Sequence, residues 1–212
     1  MARKTKAQAL ETRNQILDAA LAHFSEHGVA ATSLADIATA AGVTRGAIYW
    51  HFKNKADVLH EIWLRCDAGL DDVELEYQTK YPGDPLSVIR SMLIYILDAT
   101  AKDPQRRALM EIIFHKCEFV GEMSTLQDMR QSLLLECYDR IELVLRECIE
   151  VGQLPAGLNT LQSARLMCGY INGMMENWLF NPQAFDLAAD APQLVDAFID
   201  MLRLSPTLSS AR

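Results

Sequence analysis

Apolar positions recur at spacings of three and four along nearly the whole chain, and no stretch alternates in the way a half-buried strand does. The first such run predicts a helix from about Ala9 to His27, with Ile16, Leu17, Ala20, Leu21 and Phe24 on one face and Gly28 as its left-handed C-terminal cap. A second helix opens at Thr32 or Ser33, where Ser33 and Asp36 have the spacing of a capping box and Leu34, Ile37 and Ala38 face inward. Ala40-Ala41-Gly42 then gives a close turn, small residues being expected where two helices cross at short range. Thr44 caps a third helix with Ala47 and Ile48 inward. Asn54, supported by Asp57, caps a fourth, expected to run through Leu59, Ile62, Trp63 and Leu70 towards Tyr77.

Pro82-Gly83-Asp84-Pro85 ends that segment. Further helices are predicted at roughly 86–101, 105–117, 123–151, 159–179 and 190–204, separated by Asp103-Pro104, the Gly152 to Gly157 stretch and Asn181-Pro182. The fold class is therefore all-α. The expected division is an N-terminal three-helix helix-turn-helix domain over residues 1–55 and a C-terminal helical domain over residues 56–212.

Charge sharpens that division. The 212 residues carry a net −8, yet residues 1–60 hold seven Lys/Arg against five Asp/Glu, while residues 61–212 hold thirteen against twenty-three. The first segment is compatible with nucleic acid even though the whole is acidic. The opening residues are more basic still: Arg3, Lys4, Lys6 and Arg13 face only Glu11, as a phosphate-contacting arm or as a frayed terminus. Half of the chain is apolar, enough for a real core. Five cysteines lie scattered without a C-x-x-C pair, which reads as reduced thiols in a cytoplasmic protein. No run is long and apolar enough for a membrane span.

The residues after the Gly42 turn suit a major-groove reader. Such a helix needs hydrogen-bonding side chains at its N-terminal end and phosphate contacts at its flanks. Thr44 and Arg45 supply the first, Arg45 fitting either a guanine edge or a phosphate. Gly46 permits close approach to the duplex. Tyr49, His51, Lys53 and Lys55 are candidate phosphate or thymine-methyl contacts, with Trp50 on the same face, the alternative for Tyr49 and Trp50 being a packed corner of a helical bundle; Thr32 and Ser33 are candidate phosphate donors at the start of the preceding helix. Phe52 reads as core.

The string Thr44-Arg-Gly-Ala-Ile-Tyr-Trp-His-Phe-Lys-Asn-Lys55, within residues 9–55, resembles the N-terminal domain of the TetR family of transcriptional repressors. Arg-Lys-Thr-Lys near the start, His115-Lys-Cys-Glu-Phe119 with Gly121-Glu-Met123, Tyr138-Asp-Arg-Ile-Glu142 and Glu176-Asn-Trp-Leu-Phe180 with Phe185-Asp-Leu187 extend the resemblance, towards a branch that represses multidrug efflux pumps. The resemblance implies an all-α homodimer whose heads bind a palindromic double-stranded DNA operator and let go when a drug enters the body. It also places the dimer interface on the helices near 161–179 and 190–204, where Leu161, Ala164, Leu194, Phe198, Met201 and Leu202 supply apolar surface; in a monomer the same residues would be core.

The body's own chemistry fits small amphipathic drugs or dyes. Met110, Phe114, Met167, Tyr170, Ile171, Met174 and Trp178 recur on helical faces that suit one broad cavity, Met being the most adaptable lining residue, although such stripes also build ordinary cores. Trp63 and Asp67, four apart, offer an aromatic plane and a carboxylate to a cation. Arg106, with Arg107, fits an anionic or phenolic group, or is solvated.

Other chemistry finds little support. His23 and His27 have metal-compatible spacing but no third ligand, and His115 and Cys117 point apart on a helix, so no metal is expected. No phosphate loop or nucleophile elbow occurs, and neither a cofactor nor catalysis is expected. The function read from the sequence is a ligand-responsive repressor. The alternatives are an activator, a regulator answering to a protein partner, and a helical enzyme with an incidental helix-turn-helix.

Overall fold

The computed structural model describes residues 6–118 and 121–208, apart from the side chains of Glu122 and Met129. Among the described residues every regular element is a helix. The chain forms two compact units, one from the chain up to Ala68 with Gln105–Arg130, the other from Gly69–Pro104 with the chain from Gln131 onward.

The first unit opens with α1 (Lys6–His27), one turn longer at its start than the apolar face alone predicts. Its buried side chains include the expected Ile16, Leu17, Ala20, Leu21 and Phe24, the four larger ones contributing about 1.5–3 kcal/mol each by burial. α2 (Leu34–Ala40) and α3 (Arg45–His51) are only seven residues each. Isolated helices that short do not persist in water, so caps and docking define them. Ser33 forms a full capping box with Asp36, and Thr44 Oγ1 accepts from Ala47 N at 3.2 Å.

The turn between them needs Gly42 for a different reason from the one expected. A Cβ there would meet nothing within 4 Å, so close helix crossing does not select glycine; the backbone does, at φ +66°. Other residue types are strained in that left-handed region.

α4 (Lys55–Asp67) starts as expected, Asn54 Oδ1 accepting from Asp57 N at 2.8 Å. It does not continue to Tyr77. The helix stops at Asp67 and α5 (Leu70–Lys80) begins anew, because Ala68 turns to ψ 125° and Gly69 to φ +96°. The apolar periodicity continues across the break, which is why spacing alone reads one helix. Two ion pairs hold α4 to α1: Arg65 with Asp18 at 2.8 Å, and Arg13 with Glu61.

The second unit contains α5 and α6 (Pro85–Lys102), the latter capped by Asp84, whose carboxylate accepts from Ser87 N and Oγ. The expected helix 105–117 is instead α7 (Pro104–Glu111) running into a wider π turn, Ile112–Lys116. α8 (Ser124–Glu150) belongs to the first unit as far as Arg130 and to the second beyond it. α9 (Thr160–Phe180) and α10 (Leu187–Leu204) complete the second unit, packed with α6. α10 starts three residues before the expected 190: Asp186 caps it, and Pro192 sits inside it rather than near its first turn. Arg90 on α6 grips Asp196 on α10 with two hydrogen bonds, at 2.5 and 2.8 Å.

Candidate functional site

Burial of one residue orients the candidate reader. Ile48 is fully buried and Phe52, which ends α3 in an extended conformation, is 2% exposed beneath the Arg13 guanidinium. With that side fixed, Thr44, Arg45, Gly46, Tyr49 and Trp50 are left on the outside. Tyr49 is 59% and Trp50 73% exposed, so neither aromatic is spent on the core. Trp50 stands edge-on to His51, centroids 4.5 Å apart. A Cβ on Gly46 would meet only Thr44 Oγ1, at 3.9 Å. The protein therefore has room for a side chain there, while glycine inside a helix costs about 1 kcal/mol relative to alanine.

The flanking phosphate contacts divide differently. Lys53 is exposed. Lys55 is turned inward, its Nζ donating to Val29 O at 2.8 Å and Ala30 O at 3.4 Å. Thr32 is buried, its hydroxyl donating to Gly28 O at 2.8 Å. Both side chains hold the turn between α1 and α2, because that backbone needs donors where no helix supplies them. Ser33 is exposed, but its amide and hydroxyl both donate to Asp36, at 2.9 and 2.6 Å, and this holds the Asp36 carboxyl below its ordinary range. Of the basic arm, Lys6 is exposed and Arg13 is paired with Glu61; Arg3 and Lys4 lie outside the described residues.

The first unit also gathers candidate ligand residues. Arg106 is 7% exposed, so it is not solvated. Its Nη1 reaches Asp67 Oδ1 at 3.3 Å and the Cys66 carbonyl at 3.5 Å, while its Nε is buried with no acceptor in reach. Burial pushes the Asp67 carboxyl above its ordinary value, partly offset by the Arg106 charge and by a hydrogen bond from Trp63. The carboxylate expected to face a ligand cation thus already has an internal cation. Met110 is buried, and Phe114 is half-buried with the Arg130 guanidinium 6.0 Å from its ring centre.

In the second unit Met167, Ile171 and Trp178 are buried on α9 and Met174 is half-buried. Tyr170 is half-buried and tied to α10. Its hydroxyl donates to Leu194 O on α10 at 3.1 Å and its ring packs on Phe198, 5.2 Å between centroids. The expected interface set divides as well. Ala164, Phe198 and Leu202 are at most 3% exposed within the single chain, so they belong to its own core. Leu161 and Met201 stay exposed and Leu194 half-exposed, and Leu166 and Leu204 add apolar surface on the same two helices.

A capped seven-residue α3 with an aromatic and basic outer face, following α2 across a left-handed glycine, is a helix-turn-helix. Residues 16–62 match the family model for bacterial regulatory proteins of the tetR family, and residues 84–204 match the C-terminal region of MAATS-type transcriptional repressors. The chain belongs to the TetR family. It is similar to the HTH-type transcriptional regulator AcrR of Shigella flexneri, 58% identical over 98% of this chain and 97% of that protein. Among solved structures of the TetR family it resembles NalD, the secondary repressor of the MexAB-OprM multidrug efflux pump in Pseudomonas aeruginosa, with 29% identity, a TM-score of 0.83 and coverage of 94% of this chain and 100% of that one. It also resembles SmeT, the repressor of the Stenotrophomonas maltophilia pump SmeDEF, in its complex with triclosan: 31% identity, TM-score 0.80, coverage 95% and 96%. TetR-family members are transcriptional regulators, not enzymes.

One contact inside the first unit has no signal in the sequence. Lys116, at the end of the π turn, donates from Nζ to Ser25 O at 2.7 Å, and its own carbonyl accepts from Val29 N at 3.1 Å. It therefore holds the same α1–α2 turn that Lys55 holds, although it lies 91 residues from Ser25. Among the described residues no three His, Cys, Asp or Glu side chains gather at metal-binding range, and the His23 and His27 rings stack at 4.8 Å. No described helix is long and apolar enough to cross a membrane.

Proposed function

We propose that this TetR-family protein is a ligand-responsive repressor that binds a palindromic operator as a homodimer, is released by amphipathic, often cationic drugs, and controls multidrug efflux pump genes. The division follows: residues 1–55 are the DNA-binding domain, and residues 56–212 bind ligand and dimerise. The observation that carries this reading is the outward face of α3, where a fixed Ile48 leaves Thr44, Arg45, Gly46, Tyr49 and Trp50 exposed. Arg45 reads a base edge or a phosphate, and Tyr49, Trp50, His51 and Lys53 flank it. Lys55, Thr32 and the Ser33–Asp36 box shape the reader rather than touch phosphate.

For the ligand, the first unit has its own candidates in Trp63, Asp67, Arg106, Met110 and Phe114; Met167, Ile171, Met174 and Trp178 are separate candidates within the second. A cationic ligand competes with Arg106 for the Asp67 carboxylate, and the unpaired Arg106 Nε offers a donor to an acceptor on the ligand. Asp67 is the last residue of α4, whose N-terminal cap lies three residues beyond α3. A change at that end of α4 therefore acts on the element next to the reader. Two readers of a dimer must sit one DNA turn apart, roughly 34–36 Å, or a multiple of it, to meet both half-sites. A ligand preferring another spacing shifts the population away from DNA. The dimer contact uses Leu161, Leu166, Leu194, Met201 and Leu204. The names of AcrR, NalD and SmeT, and triclosan bound to SmeT, support the reading.

The test is fluorescence anisotropy of a labelled duplex from upstream of the protein's own gene, at ~150 mM salt with competitor DNA, before and after an amphipathic cationic drug. Specific binding reversed by the drug is expected. Specific binding that no drug alters, with no drug raising the melting temperature, would replace the ligand-responsive reading with a regulator that answers to a protein partner.

A further inference from the structure

Five cysteines are scattered through the sequence, and the fold brings two of them together. Cys137 on α8 and Cys168 on α9 are 31 residues apart, both within the second unit, with Sγ atoms 3.4 Å apart in an S–H···S contact. Cys137 is exposed and Cys168 is buried. The pair is thus an accessible sulfur backed directly by a second sulfur, the arrangement of an attacking and a resolving thiol.

Their surroundings divide the labour. The hydrogen bond from Cys168 favours the Cys137 thiolate and brings its pKa down to about 7, helped by the Arg140 charge three residues along α8. Cys168, holding the shared proton in a buried setting, is raised. The other three differ. Burial pushes Cys148 up to about 12 and raises Cys117, and Cys66 and Cys117 are half-buried. Reactivity follows the thiolate and its access, which singles out Cys137.

We propose that Cys137 and Cys168 form a thiol–disulfide site that hydroperoxides oxidise reversibly. The Cys137 thiolate attacks one peroxide oxygen and the O–O bond breaks. The departing hydroxide or alkoxide takes a proton, leaving Cys137 as a sulfenic acid. The Cys168 sulfur then attacks the Cys137 sulfur as the S–O bond breaks, and the Cys168 proton leaves with the oxygen as water. The two thiols lose two electrons and the peroxide gains them. Bonding requires the sulfurs to close by about 1.4 Å, from 3.4 Å to the roughly 2.05 Å of a disulfide. A dithiol restores both cysteines by exchange. Such a pair in a reducing compartment is a transient, sensing disulfide rather than a structural one. The bond would fasten α8 to α9, the helix that carries Met167 next to Cys168.

The sequence makes the test unambiguous, because trypsin puts each cysteine on its own peptide, Cys137 on 131–140 and Cys168 on 166–203. The reduced full-length protein is treated with a small excess of hydrogen peroxide, alkylated and mapped without reduction. The expected result is a loss of two hydrogen masses, a crosslink between those two peptides, and its disappearance with dithiothreitol. Cys137 should be consumed at least about tenfold faster than Cys148. In Cys168→Ser the reaction should stop at a Cys137 sulfenic acid trapped by dimedone. The proposal is overturned if wild-type protein shows no 137–168 link, if it forms only intermolecular disulfides, or if Cys137 gains two oxygens while Cys168 stays free. The wild-type map needs no variant to fold.

Discussion

α3 is seven residues long, whereas α9 runs to 21, and the two use their side chains differently. A seven-residue helix has few positions facing a core. In α3 Ile48 alone is buried, so most of its side chains stay available to something outside the protein. The longer α9 buries a broad stripe: Ser163, Ala164, Met167, Cys168, Ile171, Met175, Trp178 and Leu179 are all buried. There a methionine that lines a ligand and one that fills a core are the same letter at the same spacing. Function is therefore written locally in the reader and only collectively in the body.

The largest expected effect breaks the reader from behind. Phe52→Ala removes a buried ring from the corner between α3 and α4 and should cost about 3–5 kcal/mol of stability, read as a lower denaturation midpoint with loss of operator binding. A change under 1 kcal/mol would mean that the corner is not core.

Asp67→Asn probes the first unit's buried pair. Cationic ligands should weaken by about 1.5–3 kcal/mol, the range for hydrogen bonds to charged groups, with operator affinity unchanged. It also alters pH dependence. The native carboxyl titrates above its ordinary 3.8, so the native state binds the proton more tightly than the unfolded chain. Stability contributed there is fully present below the ordinary value and lost as pH rises through the native one. The variant should lack that decline in urea titrations across pH 3–7.

Arg45→Ala should weaken operator binding by roughly 1–3 kcal/mol if it reads a base, while leaving the melting temperature in place. Unchanged affinity would remove Arg45 from the interface. The smallest effect separates two lysines of one string. Lys53→Met should reduce the salt slope of binding by about 0.9 without altering stability. Lys55→Met should leave the slope alone and lower the melting temperature, because its ammonium is spent on Val29 and Ala30. Equal slopes for the two variants would undo the distinction drawn between them.

How much was legible follows the same divide. Ser33, Thr44 and Asn54 announce their helices because a cap is a local bargain between one side chain and an amide two or three residues on. The TRGAIYWHFKNK string lies within residues 16–62, which match the tetR-family model. The break at Gly69 is not legible because apolar spacing carries on through it and only a positive φ marks it. Lys55 looked like a phosphate contact because a lysine in a basic string has no sign of an inward turn, and its acceptors lie 25 and 26 residues away. Lys116 with Ser25, Arg106 with Asp67 and Cys137 with Cys168 were hidden for the same reason. Each pairs residues at least 31 apart, and no periodicity encodes such a meeting. Tyr170 and Phe198, expected in different roles, turn out to pack on each other.

The central claim is that drug and operator compete through one protein, and reciprocity tests it most directly. Calorimetry with an amphipathic cationic drug, on free protein and on protein saturated with operator duplex, gives two affinities. The account predicts weaker drug binding to the operator complex, by the same factor by which saturating drug weakens operator binding. Equal drug affinity in both states would contradict it.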